Sequence, residues 1–173
     1  MMLLISEGRK NRRWNAMEAF DELKGVVARL RAEDGCPWDR EQTHSSLKPE
    51  CIEEAAEVIC GINVLEETGN PENLKEELGD LLLQVVMHAQ IAEEEGLFTM
   101  DDVIREVSRK MIRRHPHVFS DVNVSGSEEV LRNWEQIKAK EKEGKANESA
   151  YLPQAFDEAI DLIHAAKKRK GYE

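Results

Sequence analysis

The sequence predicts an all-α fold, an antiparallel helical bundle. Apolar residues recur three and four positions apart in stretch after stretch, the spacing of one helix face. Aromatic residues make up only 5% of the chain and β-branched runs are few, which argues against a sheet. The stretches are separated by short breaks rich in Gly, Pro, Asn and Thr, so successive helices return against each other.

Residues 1–14 include Arg9, Lys10, Arg12 and Arg13 and read as a flexible arm. The first helix is expected from about Asn15 to Glu33, with Phe20, Leu23, Val27 and Leu30 on one stripe. Gly35-Cys36-Pro37-Trp38-Asp39 breaks it, and a loop follows to Ser46. Ser46 is the expected N-cap of a second helix, from about Leu47 to Glu67, with Pro49 in its first turn. After the turn Thr68-Gly69-Asn70-Pro71, a third helix runs from about Glu72 to Glu95 and stops at Gly96. Thr99 caps a fourth, with Asp101 and Asp102 in its first turn. It ends near Arg114, because Pro116 disfavours helix at His115, and His115 and His117 read as a structural loop in preference to a pair of metal ligands. A fifth helix, from about Glu128 to Glu143, carries Val130, Leu131, Trp134 and Ile137 on one face. Residues 144–150 read as a linker before a last helix, from about Pro153 to Lys170, striped by Phe156, Ile160 and Ile163. Its terminal lysines and Arg169 complement the helix dipole. The expected division is an arm over 1–14, a helical domain over 15–143, and a linker with a short C-terminal helix over 144–173.

The third helix organises the rest. At about 100° per residue, Glu77, Asp80, Gln84 and His88 fall within roughly an 80° arc. The opposite arc carries Leu78, Leu82, Val86 and Ala89, a core face, with Gly79 placed to admit another backbone. The second helix carries Glu53, Glu54 and Glu57 one turn apart on a shared face, in mostly apolar surroundings. Glu57 lies about a dozen residues before the turn and Asp80 about nine after it, so an antiparallel hairpin sets them at similar heights. Clustered carboxylates in apolar surroundings repel one another unless a cation compensates, and hard divalent ions such as Mg²⁺ take such oxygen ligands. Two amphipathic helices with their glutamates in solvent is the other reading of the same pattern.

The net charge of −11 argues against a nucleic-acid polymer as partner, since phosphate backbones need a basic footprint. A small polyphosphate with bound metal remains compatible. Three cysteines, Cys36, Cys51 and Cys60, form no CxxC pair and suit a reducing, cytoplasmic setting. Residues 1–5 are too short for a signal peptide and no apolar run is long enough to span a membrane. A carboxylate cluster near the basic turn Lys110, Arg113 and Arg114 suits phosphoryl chemistry. Trp134 or Trp38 can stack on a base or pack in a core, and His88 can support the site or serve as an interior histidine.

Four motifs, in order, resemble the MazG-type nucleoside triphosphate pyrophosphohydrolases of the all-α NTP pyrophosphatase superfamily. Gly35-Cys36-Pro37-Trp38-Asp39-Arg40-Glu41-Gln42-Thr43-His44-Ser45-Ser46-Leu47 looks like GCPWDxxQTHxSL, and Glu53-Glu54-Ala55-Ala56-Glu57 like EExxE. Glu77-Leu78-Gly79-Asp80 looks like ExxD, and Lys110-Met111-Ile112-Arg113-Arg114-His115-Pro116-His117-Val118-Phe119 like KxxRRHPHVF. Cys60 stands where members often carry Asp. The resemblance implies Mg²⁺-dependent hydrolysis of a nucleoside triphosphate to monophosphate and pyrophosphate, with Mn²⁺ a substitute and metal-activated water attacking the α-phosphorus. It implies Glu54, Glu57, Glu77 and Asp80 as metal ligands supported by Glu53, Lys110 and Arg114 on phosphates, Trp134 by the base, and a helical bundle that dimerises. A dUTPase or phosphoribosyl-ATP hydrolase falls within the same superfamily. A non-catalytic nucleotide-binding dimer is the reading from another class, and a di-iron bundle lacks the paired ExxH it requires.

Overall fold

The computed structural model describes residues 16–143 and 146–172. The arm expected over 1–14 lies outside them. The chain divides into two compact units, Met1–Glu41 and Gln42–Glu173. Every regular element among the described residues is a helix, as expected: α1 (Ala16–Arg31), α2 (Pro37–Glu41), α3 (Lys48–Thr68), α4 (Glu72–Glu94), α5 (Met100–Arg114), α6 (Pro116–Phe119), α7 (Ser127–Lys142) and α8 (Ala146–Lys170).

In the first unit, α1 turns back at Gly35 and Cys36, where the Cys36 amide donates to the Leu30 carbonyl at 2.7 Å. Residues expected as loop form α2 instead. Its five residues are too few to show periodicity, and it is tied to its surroundings by Arg31 on the Asp39 carbonyl (2.5 Å) and by its own Arg40 on the Glu33 carbonyl (2.6 Å).

The second unit is built on the α3–α4 hairpin. Three pairings show that the two helices run antiparallel: Cys51 meets His88, Glu54 and Glu57 meet Glu77, and Gly61 meets Leu74. The turn is made by Gly69 at φ 74°, in the left-handed region that glycine enters without steric cost, its amide donating to the Leu65 carbonyl. The close backbone approach falls at Gly61, where a Cβ would stand 2.7 Å from the Leu74 Cα. Gly79, the glycine expected to serve that purpose, faces open space. The core face of α4 also holds only in its second half. Val86 and Ala89 are buried, whereas Leu78 and Leu82 are exposed beside Val85, because no described residue of this unit covers the first turns of α4 on that side.

Ser46 does not cap α3. Its hydroxyl donates to Gln42 and accepts from the Thr43 amide, closing the preceding turn, and Leu47 takes the cap position without a side-chain bond. Thr99 caps α5 as expected, in a reciprocal box with Asp102: each side chain accepts from the other's amide. Thr99→Ala should cost about 1 kcal/mol, read as a lower thermal midpoint; an unchanged midpoint would show that the box adds nothing. Beyond α5, Pro116–Phe119 make one helical turn rather than loop, since proline suits the first position of a helix. The last helix begins at Ala146 and carries Pro153 in its interior, so the proline that was expected to start it does not. α8 packs on α3 and runs parallel to it, with Lys48 paired to Glu158 and, further along, Glu57 paired to Lys170.

Candidate active site

The hairpin brings the acidic stripes together. One oxygen each of Glu54, Glu57 and Glu77 lies within 4.8 Å of the others, all three half-buried. Two helix-borne repeats produce this geometry: Glu54 and Glu57 are one turn apart on α3, and the antiparallel return sets Glu77 opposite them. Asp80, one turn after Glu77, adds its charge to both Glu54 and Glu77. Burial pushes the Glu54 carboxyl above the usual carboxylate range, and the charges of Glu57, Asp80 and Glu77 push it further. The Glu77 carboxyl is raised as well, by desolvation first, against a hydrogen bond from Asn73 at 2.8 Å that favours its ionised form. Like charges so arranged repel one another. The donor set is wholly carboxylate oxygen and suits a hard divalent cation of the Mg²⁺ or Mn²⁺ kind.

Two cations meet these carboxylates and their neighbour Glu53. Glu53, only 12% exposed at its side chain, is ion-paired to Arg169, and Lys170 is paired to Glu57 and lies 3.6 Å from Glu53. Both cations sit in the last turn of α8. The run Lys167-Lys168-Arg169-Lys170 was visible in the sequence, but as a complement to the helix dipole it pointed at nothing beyond its own helix.

His88, at the far end of the α4 stripe, is half-buried in the hairpin. Its Nε2 lies 3.3 Å from the Cys51 Sγ and its Nδ1 2.8 Å from the His44 Nδ1, with the two rings stacked in parallel. Burial, then the neighbouring His44, lowers the pKa of His88. Both ring nitrogens are engaged away from the carboxylates, so His88 supports the hairpin rather than the site.

The expected phosphate and base residues form a second group. Arg113 and Arg114, in the last turn of α5, both bind Glu141 of α7, at 2.5 and 2.6 Å. Arg114 also lies over the Trp134 ring at 5.1 Å, and Lys138 over the same ring at 4.7 Å. Lys110, one turn before Arg114, forms no ion pair among the described residues. None of these side chains is hydrogen-bonded or ion-paired to the carboxylates there either. Trp38 belongs to the first unit, on α2, and is 59% exposed.

The Arg113–Glu141–Arg114 tie has a pH signature. Hydrogen bonds from Arg113 and then Arg114 hold the Glu141 carboxyl at about 2. A depressed carboxylate stabilises the fold fully above its ordinary range and loses that contribution only as pH falls toward the depressed value. In an NMR titration Glu141 is expected to stay ionised at about pH 4, where ordinary glutamates are half protonated. Half-protonation there would mean the tie is absent in solution.

A family model described as the MazG nucleotide pyrophosphohydrolase domain matches residues 42–119, a span that includes α3, α4 and the carboxylate cluster. The chain is 52% identical over 130 residues to the nucleoside triphosphate pyrophosphohydrolase/pyrophosphatase MazG of Thermotoga maritima, covering 75% of this chain and 48% of that one. It is 47% identical over 135 residues to the nucleoside triphosphate pyrophosphohydrolase of Escherichia coli K12, covering 78% and 50%. It is 48% identical over 151 residues to the uncharacterized protein YabN of Bacillus subtilis, covering 87% and 30%. The chain thus spans half or less of the length of each of these relatives.

Proposed function

Because the chain belongs, through residues 42–119, to the MazG nucleotide pyrophosphohydrolase family, we propose that it hydrolyses a nucleoside triphosphate to monophosphate and pyrophosphate at the α3–α4 carboxylates. The observation that carries this reading is the convergence of Glu54, Glu57 and Glu77 from two helices within 4.8 Å. Mg²⁺ is the proposed cation, with Mn²⁺ a substitute, held by Glu54, Glu57, Glu77 and Asp80 with Glu53 in support. When bound, such an ion neutralises phosphate charge and makes water more acidic, which favours attack on the α-phosphorus.

The chain's own residues supply position and charge. The hairpin fixes the spacing of the carboxylates, and the raised Glu54 and Glu77 favour any partner that brings positive charge. Lys110 is the proposed phosphate ligand of the basic turn, with Arg114 beside it. The Arg113–Glu141–Arg114 tie holds that turn against α7 and positions Trp134 for a base. The exposed apolar residues Ile59 and Ile62 on α3, with Leu78, Leu82 and Val85 on α4, support a second copy of the chain as the cover of this face. Three unpaired cysteines support a cytoplasmic setting. No helix among the described residues is long and apolar enough to cross a membrane.

Incubation of a panel of ribo- and deoxynucleoside triphosphates with Mg²⁺ in ¹⁸O-labelled water tests this. Pyrophosphate and monophosphate are expected, with the label in the monophosphate. Label in pyrophosphate, or no release from any nucleotide, would overturn the reading.

A further inference from the structure

The acidic site already has cations on it, and they come from α8. Lys170 sits against Glu57 and Arg169 against Glu53, two of the carboxylates on which the proposed function rests. By contrast, Arg113 and Arg114 are already bound to Glu141. Among the described residues, the last turn of α8 therefore supplies the ion-pairing cations of the carboxylate site. α8 is fixed there along its length: Lys48 holds Glu158 at 2.8 Å, and Ala166 is buried one turn before Lys170. The end groups themselves are freer. Arg169 is 60% exposed, and Lys170 fronts a cavity of about 370 Å³ between α3 and α8 whose lining includes Glu53, Glu57 and Lys167 beside the apolar Ile52 and Ile163.

We propose that Arg169 and Lys170 are substrate-positioning residues of the site: they neutralise Glu53 and Glu57 while no divalent cation is bound, and pass to phosphate oxygens of the nucleotide when one is. The reasoning is electrostatic. A divalent ion on Glu57 takes the partner of the Lys170 ammonium and repels it as a like charge. The ammonium has a flexible four-carbon stem and an adjoining cavity, so it can swing without moving α8. Phosphates brought to the ion are then the nearest uncompensated anions, and a charge-assisted hydrogen bond to one of them replaces the bond given up by Glu57. Arg169 serves the same phosphates with its planar fork. This inference rests on the nucleotide reading of the site and adds α8 to it.

Two titrations of the full chain separate the steps: Mn²⁺ alone, followed by electron paramagnetic resonance, and a non-hydrolysable α,β-methylene nucleoside triphosphate with Mg²⁺ present, followed by calorimetry. Lys170→Met is expected to bind Mn²⁺ several-fold more tightly, because its internal competitor is gone. It should bind the nucleotide analogue about tenfold or more weakly, and Lys170→Arg should restore that binding. Folded Lys170→Met that matches the wild type in both titrations overturns the inference. Tighter Mn²⁺ with unchanged analogue affinity overturns the phosphate role, leaving a counter-ion only. A wild type that binds no analogue and releases no pyrophosphate would refute the nucleotide reading instead, whereas an active wild type beside an unaffected Lys170→Met refutes only the part given to α8.

Discussion

Glu57→Gln is expected to lower pyrophosphate release by about a hundredfold or more and to weaken Mn²⁺ binding, while the protein stays folded. Glu57 supplies one of the three converging oxygens and is the one of the three residues that Lys170 also pairs with. A carboxamide keeps the volume but removes the charge and presents an amide nitrogen that repels a cation. Loss of a proposed direct ligand exceeds the tenfold to hundredfold that outer partners of a metal site are typically worth. The stability cost should stay small, because the Glu57–Lys170 pair is partly exposed and such pairs contribute at most about 1 kcal/mol. A variant that loses activity by unfolding would betray itself in circular dichroism. A folded Glu57→Gln with wild-type Mn²⁺ affinity would remove Glu57 from the ligand set.

The second large effect is structural. At Gly61→Val the new Cβ would stand 2.7 Å from the Leu74 Cα and 3.0 Å from its nitrogen, backbone atoms that cannot rotate aside. At an open helix position, replacing glycine by a residue with a side chain gains stability. Here the sign reverses, because α3 and α4 must part. Overpacking of this kind costs roughly 1–3 kcal/mol, a substantial share of the roughly 5–15 kcal/mol that holds a domain folded. The same parting draws Glu54 and Glu57 away from Glu77, so activity should fall along with the thermal midpoint. A Gly61→Val protein as stable as the wild type would mean that the two helices do not approach in solution as described.

The parts of the fold that follow from local pattern were legible in the sequence. Helical spacing located α3, α4, α5 and α7 to within about two residues. The same spacing put Glu53, Glu54 and Glu57 on one face and Glu77 and Asp80 on another, and the short turn at Gly69 made those faces meet. Contacts that depend on one specific partner far along the chain were not legible. Nothing local distinguishes Gly61 from Gly79, since both interrupt an apolar helix. Only the packing of Leu74 shows which one is crowded. Arg113 and Arg114 looked like free phosphate ligands because, in the sequence, nothing sets Glu141 apart from the other glutamates of its own helix. Arg169 and Lys170 had no visible target for the same reason. Five-residue α2 is too short for periodicity, and neither Ser46 nor Pro153 takes the helix-start position that its residue type prefers.

The most direct test of the carboxylate centre is pyrophosphate release with Mg²⁺ present, wild type beside Asp80→Asn, both verified as folded. Asp80 lies one turn from Glu77 and raises the carboxyls of Glu54 and Glu77 through its charge, so its removal changes the site without touching the hairpin's apolar contacts. Release by the wild type that collapses in Asp80→Asn is the predicted result. An Asp80→Asn protein that releases pyrophosphate at the wild-type rate would contradict the account, because the chemistry would then lie somewhere other than the α3–α4 carboxylates.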